Sequence, residues 1–328
     1  MKNFKYYPNL RLFDNTNTTA SEGLSAEMRT YYSDLVIDNA MPNLVHDQFG
    51  QKVPIPKGNG KTVSFRRYKP LSKALTPLTE GVTPSGNSLN VSTIEATVSQ
   101  YGDYIELSDI LLLTAVDNNL VEACTLLGNQ AGLTLDTITR EVLSGGTNVI
   151  YAGDVTSRSS VAADSKMTTL LVKQAVRLLK TMNTPKINGE YIAIAHPDVT
   201  FDLMNDTEWV EANKYAGATK IFEGEIGKIG GARFIESTEA KIFEKAGASG
   251  SSVYSTLFLG SNAYGTTEIE GGGLKTIIKQ LGSAGTADPL EQRATAGWKA
   301  TKVAERLVEE YMVRVESGSS FAQNAKGN

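Results

Sequence analysis

The sequence feature that most constrains the fold is one long apolar stripe at helical spacing. Between residues 117 and 143 apolar side chains recur at steps of three, four or seven residues. Gly145 and Gly146 then indicate where the helix ends. Steps of this size place side chains on one face of an α-helix. The pattern predicts a single helix of about 40 Å, along which the rest of the chain is expected to pack. The stripe consists of Leu120, Cys124, Leu127, Ala131, Ile138 and Val142.

A fold built on that helix must be stabilised by burial alone. The chain has 328 residues and a single cysteine, Cys124, so it cannot form an intramolecular disulfide. Because Cys124 lies on the apolar stripe, we expect a buried and unreactive thiol. The absence of any run of 18 apolar residues predicts no membrane contact. Residues 1–13 contain no apolar core of a secretory signal, which predicts cytoplasmic synthesis.

A proline-rich segment precedes the long helix. Residues 51–98 contain five of the ten prolines, and this density excludes a helix there. Alternating apolar or β-branched side chains in residues 62–68 and 89–98 predict two strands, joined through the turn-rich residues 78–87. The result is a long two-stranded arm. Because an isolated hairpin is only marginally stable in water, this arm needs a surface to lie on.

The other segments predict a compact mixed α/β domain over residues 150–287. A polar linker over residues 14–23 and a helix ending before Pro42 are expected upstream. His196 and Pro197 follow a strand, and Asp198 is expected to cap a short helix after it. Residues 298–316 resemble extended strands that return to the long helix. Other predicted elements are a helix at 167–182 and strands at 191–195, 233–235, 253–259 and 275–279.

No residue pattern predicts catalysis, a metal site or a cofactor site. His46 and His196 are the only histidines, they are far apart, and they have no cysteine partner. The Gly60-Lys61-Thr62 sequence lacks the first glycine of a phosphate-binding loop, because Ile55 stands at that position. Both histidines are therefore expected to be structural. The glycines in residues 224–231 are expected to form tight turns before the next strand.

The charge distribution points to association between subunits. Residues 50–80 contain seven basic residues and one acidic residue, a net charge of +6, which leaves −10 for the rest of the chain. A basic arm on an acidic body suits head-to-tail contact between identical subunits, because complementary charges steer and register the contact. The alternative is a solvated hairpin. The candidate inter-subunit contacts are Lys61, Arg66, Arg67, Lys69 and Lys73.

Three stretches resemble the major capsid protein family of podophage-like and related tailed phages. They are QYGDYIELSDIL at residues 100–111, GEIGKIGGARFIES at 224–237, and DPLEQRATAGWKA at 288–300 before the terminal MVRVES. The resemblance implies an α+β fold, the Johnson fold of tailed-phage capsids. It implies an N-terminal arm at 1–48, an extended β-hairpin loop at 49–99 and a peripheral domain with a long spine helix at 100–149. A mixed α/β axial domain at 150–287 and peripheral return strands with a tail at 288–328 complete it.

The resemblance also implies the function and the partners. The chain is expected to be a non-enzymatic major capsid protein that assembles in the bacterial cytoplasm into the icosahedral head, as hexamers and pentamers. A portal at one vertex and packaged double-stranded DNA, held without sequence-specific contact, are the implied partners. A separate scaffolding protein is expected, because only about 50 residues precede the extended loop. No catalytic residue, cofactor or metal is implied.

Two alternatives remain open on sequence grounds. A nanocompartment shell protein of the same fold would enclose an enzyme instead of DNA, and the sequence hardly separates the two. A hydrolase or a solute-binding protein would fit the α/β composition. That third hypothesis lacks any convergent set of reactive side chains.

Overall fold

The computed structural model describes most of the chain. The described residues are 36–40, 43–54, 61–68, 71–83, 85–114, 119–216, 227–268, 274–283 and 288–328. Residues 36–40 are helical, in agreement with a helix that ends before Pro42. The predicted linker at 14–23 and most of that first helix lie outside the described residues.

Five helices and fifteen strands have defined bounds in the described part. The helices are α1 Asp109–Thr114, α2 Asn119–Ser144, α3 Thr169–Thr181, α4 Pro197–Met204 and α5 Thr207–Ala216. The first eight strands are β1 Gln51–Val53, β2 Thr62–Tyr68, β3 Val91–Thr97, β4 Ser99–Ser108, β5 Val149–Tyr151, β6 Tyr191–Ala195, β7 Lys228–Ile229 and β8 Ala232–Glu236. The others are β9 Ile242–Phe243, β10 Val253–Leu259, β11 Tyr264–Thr267, β12 Leu274–Lys279, β13 Arg293–Lys302, β14 Ala304–Arg306 and β15 Met312–Ser317.

Helix α2 is the predicted long helix, and it packs on an antiparallel sheet. That sheet has the order β12-β13-β4, with β13 in the centre. The buried stripe of α2 includes Cys124, Leu127 and Leu135, and these side chains form one cluster with Trp298 of β13. The Trp298 ring nitrogen donates to the Gln130 side-chain oxygen at 3.2 Å. The prediction of one long helix from residue spacing is confirmed.

A second, seven-stranded mixed sheet forms the larger core. Its order is β5-β15-β10-β6-β8-β7, and β9 pairs with β10. Every residue of β6 and β10 is buried, as expected for strands covered on both faces. Helix α3 packs its buried side, including Val172 and Val176, into this core. The strands predicted at 191–195, 233–235 and 253–259 are confirmed.

Three predictions made from sequence need correction. Strand β12 pairs with β13 rather than with the seven-stranded sheet, so it does not join the α/β domain predicted for residues 150–287. Strand β15 lies between β5 and β10, so the last strand enters the α/β sheet instead of returning to α2. The cap of α4 is His196, whose Nδ1 accepts from the Asp198 backbone nitrogen at 3.2 Å. Strand pairing between distant segments carries no local pattern, which explains the first two differences.

Two neighbouring leucines on α2 test the packing of the spine. Leu127 is 2% exposed and Leu126 is 56% exposed. We expect Leu127→Asp to lower the free energy of unfolding by at least about 3 kcal/mol, because it removes a buried side chain and buries a carboxylate. Leu126→Asp should leave the folded state within about 1 kcal/mol of wild type. Urea unfolding followed by circular dichroism measures both. Equal effects of the two substitutions would contradict the packing described here.

Candidate functional site

The base of the extended loop is a short hairpin that packs on its own subunit. Strands β2 and β3 form seven residue pairs, from Thr62 with Thr97 to Tyr68 with Val91. Alternate side chains point inward, and Val63 and Phe65 are buried in a cluster with Leu307 and Val308. The Phe65 ring lies against Gly265, where an added Cβ would stand 2.4 Å from the ring. The hairpin therefore has one face fixed to the body and one face free.

Beyond the hairpin the loop has no contact that buries it. All described residues from 71 to 90 are exposed and outside any strand. Leu75 and Leu78 are 82% and 77% exposed. Within this segment the Val82 nitrogen donates to the Thr79 carbonyl oxygen at 3.1 Å, and this hydrogen bond closes a turn. The two strands predicted at 62–68 and 89–98 are confirmed as β2 and β3, and the segment that joins them is longer than the predicted turn at 78–87. The exposed apolar residues of this loop tip are Leu71, Leu75, Leu78, Val82 and Leu89.

The candidate contact residues separate into two groups. Lys61, Arg66 and Lys73 are exposed, and within the described residues none of them has an ion pair. Arg67 points to its own subunit, where Nη1 donates to the Leu307 carbonyl oxygen at 3.4 Å. Its Nη2 lies 3.9 Å from a Glu310 carboxylate oxygen. Lys69 lies outside the described residues. Alternation along β2 thus leaves Arg66 on the free face and uses Arg67 at the base of the loop.

A buried ionic cluster fixes the chain just before the loop. The Lys302 ammonium pairs with the Asp47 carboxylate and donates to the Thr266 hydroxyl at 2.5 Å. His46 Nδ1 lies 2.6 Å from Asp136 Oδ2 on α2. Burial lowers the pKa of Lys302, and the Asp47 carboxylate opposes that shift. This cluster joins the segment before β1 to α2, β11 and the end of β13.

The same cluster includes a tyrosine whose hydroxyl forms hydrogen bonds with the backbone just before β1. The Tyr264 hydroxyl donates to the His46 carbonyl oxygen and accepts from the Phe49 nitrogen at 3.2 Å. Burial raises the pKa of Tyr264 well above its usual value. Sequence reasoning missed this cluster, because Asp47 and Lys302 are 255 positions apart and carry no local pattern.

Three further features of the described part concern metal-binding side chains, membrane-spanning helices and the thiol of Cys124. Among the described residues no group of three His, Cys, Asp or Glu side chains is placed to hold a metal ion. No helix in those ranges is both long and apolar enough to cross a membrane. Cys124 is buried, and burial raises the pKa of its thiol. The described part of the chain presents one fixed hairpin with an exposed apolar tip, on a body of a spine helix and three sheets, the third of which has the order β1-β11-β14.

This architecture belongs to capsid proteins. A family model described as "Phage capsid protein" matches residues 91–315, and the chain belongs to that family. As a phage capsid protein it is a structural component of the virion capsid. The family predicted from the three sequence stretches is confirmed. No curated protein sequence matches the chain.

Solved capsid structures share the fold at low sequence identity. The capsid of Cyanophage P-SCSP1u has a TM-score of 0.65 and 14% identity, covering 84% of this chain and 89% of the other. The capsid of Ralstonia phage GP4 has a TM-score of 0.63 and 16% identity, with coverages of 86% and 87%. The Cyanophage Pam1 capsid has a TM-score of 0.63 and 15% identity, with coverages of 80% and 86%. The chain therefore has the fold of these phage capsid proteins, which is the predicted Johnson fold.

The buried ion pair gives a prediction about stability. Lys302→Met should lower the free energy of unfolding by about 3–5 kcal/mol, because it leaves the Asp47 charge buried without its partner. Adding Asp47→Leu should recover most of that loss. Lys299→Met, at an exposed lysine on the same strand, serves as the matched control and should have an effect below about 0.5 kcal/mol. Chemical unfolding measures all four proteins. A double variant no more stable than Lys302→Met would contradict the pairing.

Proposed function

We propose that this chain builds the icosahedral head of a tailed phage and that its extended loop joins neighbouring subunits. Hexamers and pentamers of the chain would close the shell around the double-stranded DNA genome. The observation that carries the proposal is the loop tip, residues 71–90, whose described residues are all exposed although five of them are large and apolar. A surface formed by a neighbouring subunit is the natural cover for such a segment.

The energy available from covering the tip is large for each contact. Full burial of a leucine or valine side chain contributes about 1.5–3 kcal/mol. The loop tip offers five of them, at Leu71, Leu75, Leu78, Val82 and Leu89. Ordering the segment costs part of that gain, so the net contribution per contact is smaller. A closed lattice repeats the contact at every subunit, and small contributions then add up.

Opposite charges favour contact between the loop of one subunit and the body of its neighbour. The free face of β2 presents Arg66, and Lys61 and Lys73 flank it along the loop. The chain outside residues 50–80 carries a net charge of −10. Contact between a basic loop and an acidic neighbour is heterologous, and such contacts close into rings when the rotation permits. We retain Lys61, Arg66, Lys69 and Lys73 as the proposed contact residues and assign Arg67 to the base of the loop.

The proposal assigns each segment of the chain to one domain of the capsid subunit. Residues 1–48 act as an arm and residues 49–99 as the extended loop. The peripheral domain consists of residues 100–149 with strands β12 and β13, and the axial domain consists of the seven-stranded sheet with its helices. A separate scaffolding protein, a portal at one vertex and packaged DNA without sequence-specific contact are the proposed partners.

Reversal of one charge on the free face tests the role of the loop. We expect Arg66→Glu to leave the subunit folded, because its side chain does not touch the core, and to lower the yield of closed particles at least tenfold. Like charges across a contact cost several kcal/mol. Sedimentation measures the particle yield, and circular dichroism melting measures folding.

Two further variants make that experiment specific. Arg66→Lys should keep most of the yield, because it keeps the charge. Arg177→Glu makes the same charge change at an exposed position of α3, and its yield should stay close to wild type. Normal yields from Arg66→Glu, or equal losses in Arg66→Glu and Arg177→Glu, would refute a specific role for the loop.

A further inference from the structure

The outer face of the peripheral sheet carries three lysines, Lys275, Lys279 and Lys299. This is the face of β12-β13-β4 that points away from α2. Lys275 of β12 stands directly opposite Lys299 of β13, and Lys279 lies two side chains further along β12 on the same face. Opposite positions of an antiparallel ladder bring Cβ atoms to about 5 Å. Like charges at such positions repel, so this arrangement costs stability in the isolated chain.

Asp103 lines the same hollow as Lys279 and Lys299, but its carboxylate accepts a hydrogen bond from the Gln130 side chain at 2.7 Å. None of the three lysines has an ion pair or a hydrogen bond to the described residues. Glu106, on the same face, pairs instead with Arg293 at 3.4 Å. Two facing lysines without an acidic partner among the described residues complement an anionic group from another molecule.

Lys279 and Lys299 line a shallow, open hollow, and Lys275 lines the depression that adjoins it. Gly102 and Gly297 carry no side chains at its floor, and Tyr104 and Ile277 form apolar walls. The hollow has a volume of about 580 Å³. A second depression of about 430 Å³ adjoins it at Ile277 and Lys279 and continues along β12. Among the described strands β12 pairs only with β13, so its outer edge is open.

We infer that this hollow binds an extended acidic peptide segment of a partner protein that attaches to the assembled shell. Side chains of an extended peptide alternate, so residues two and four positions apart share one face. Lys275, Ile277 and Lys279 have that spacing. A segment with carboxylates four positions apart and an apolar residue between them complements the row in charge and in shape. The open edge of β12 offers backbone groups for pairing.

Charge and shape exclude two other occupants. The base of a neighbouring subunit's loop, residues 50–69, has six basic and no acidic residues, and the lysines repel it. The loop tip, residues 71–90, contains one lysine and one glutamate, so it has no row of carboxylates to match the lysines. A DNA duplex is a convex rod, and its phosphates would contact the lysines at the rim without filling the apolar hollow between Tyr104 and Ile277. The bound segment therefore belongs to another protein with carboxylates in an extended sequence.

Peptide binding by the full-length unassembled chain tests the inference. The probe is a fluorescein-labelled heptapeptide with Glu at its first and fifth positions, Leu at its third and Thr elsewhere. Fluorescence anisotropy should show saturable binding to the wild-type chain. Lys275→Thr combined with Lys299→Thr should raise the Kd at least tenfold. Lys180→Thr combined with Lys326→Thr removes two exposed lysines elsewhere, and its Kd should stay within twofold of wild type.

Two more measurements decide between the possible outcomes. The melting temperature of the Lys275→Thr and Lys299→Thr variant should equal or exceed that of wild type, because the substitutions relieve repulsion; a lower melting temperature would overturn the argument. A labelled 20-base-pair duplex should bind more weakly than the peptide. No binding of the peptide, equal losses in the two double variants, or tighter binding of the duplex at the same lysines would each overturn the inference.

Discussion

The packing of helix α2 is the interaction on which the rest of the structure depends. Its first half buries Cys124, Leu127 and Ala131 against the peripheral sheet. Its last turns place Leu143 in a cluster with Ile192 and Leu257 of the seven-stranded sheet. One rigid element thus sets the position of both sheets. Because a helix of 26 residues is about 39 Å long, it also separates the free end of the peripheral sheet from the α/β core.

The extended loop combines a fixed base with an uncovered tip. The buried pair of Asp47 and Lys302 holds the chain just before the loop, and Phe65 locks the hairpin onto β11. These contacts set the direction in which the loop leaves the body. The tip contributes nothing to the stability of a single chain, because its apolar side chains remain in water. We propose that this apolar surface is covered when the subunit assembles with its neighbours.

The sequence predicted the features that depend on local spacing. The apolar stripe located α2 to within two residues at its start, alternation located β2, and a short apolar run located β6. Alternation also implied that only one of Arg66 and Arg67 faces outward. The identity of that residue required the packing of Leu307 and Val308, which lie about 240 positions away. The sheet positions of β12 and β15 and the buried ionic cluster arise from distant pairings, so no local pattern revealed them.

The central claim is that the loop tip is covered by a neighbouring subunit in the shell, and amide hydrogen exchange tests it most directly. Exchange at residues 71–83 and 85–90 is measured in unassembled chains and in closed shells at the same pH and temperature. The account predicts fast exchange in the chain, since few of these amides are hydrogen bonded, and a slowing of at least about 100-fold in the shell. Exchange in α2 should be slow in both states. Equally fast exchange of the tip in chains and in shells would contradict the account.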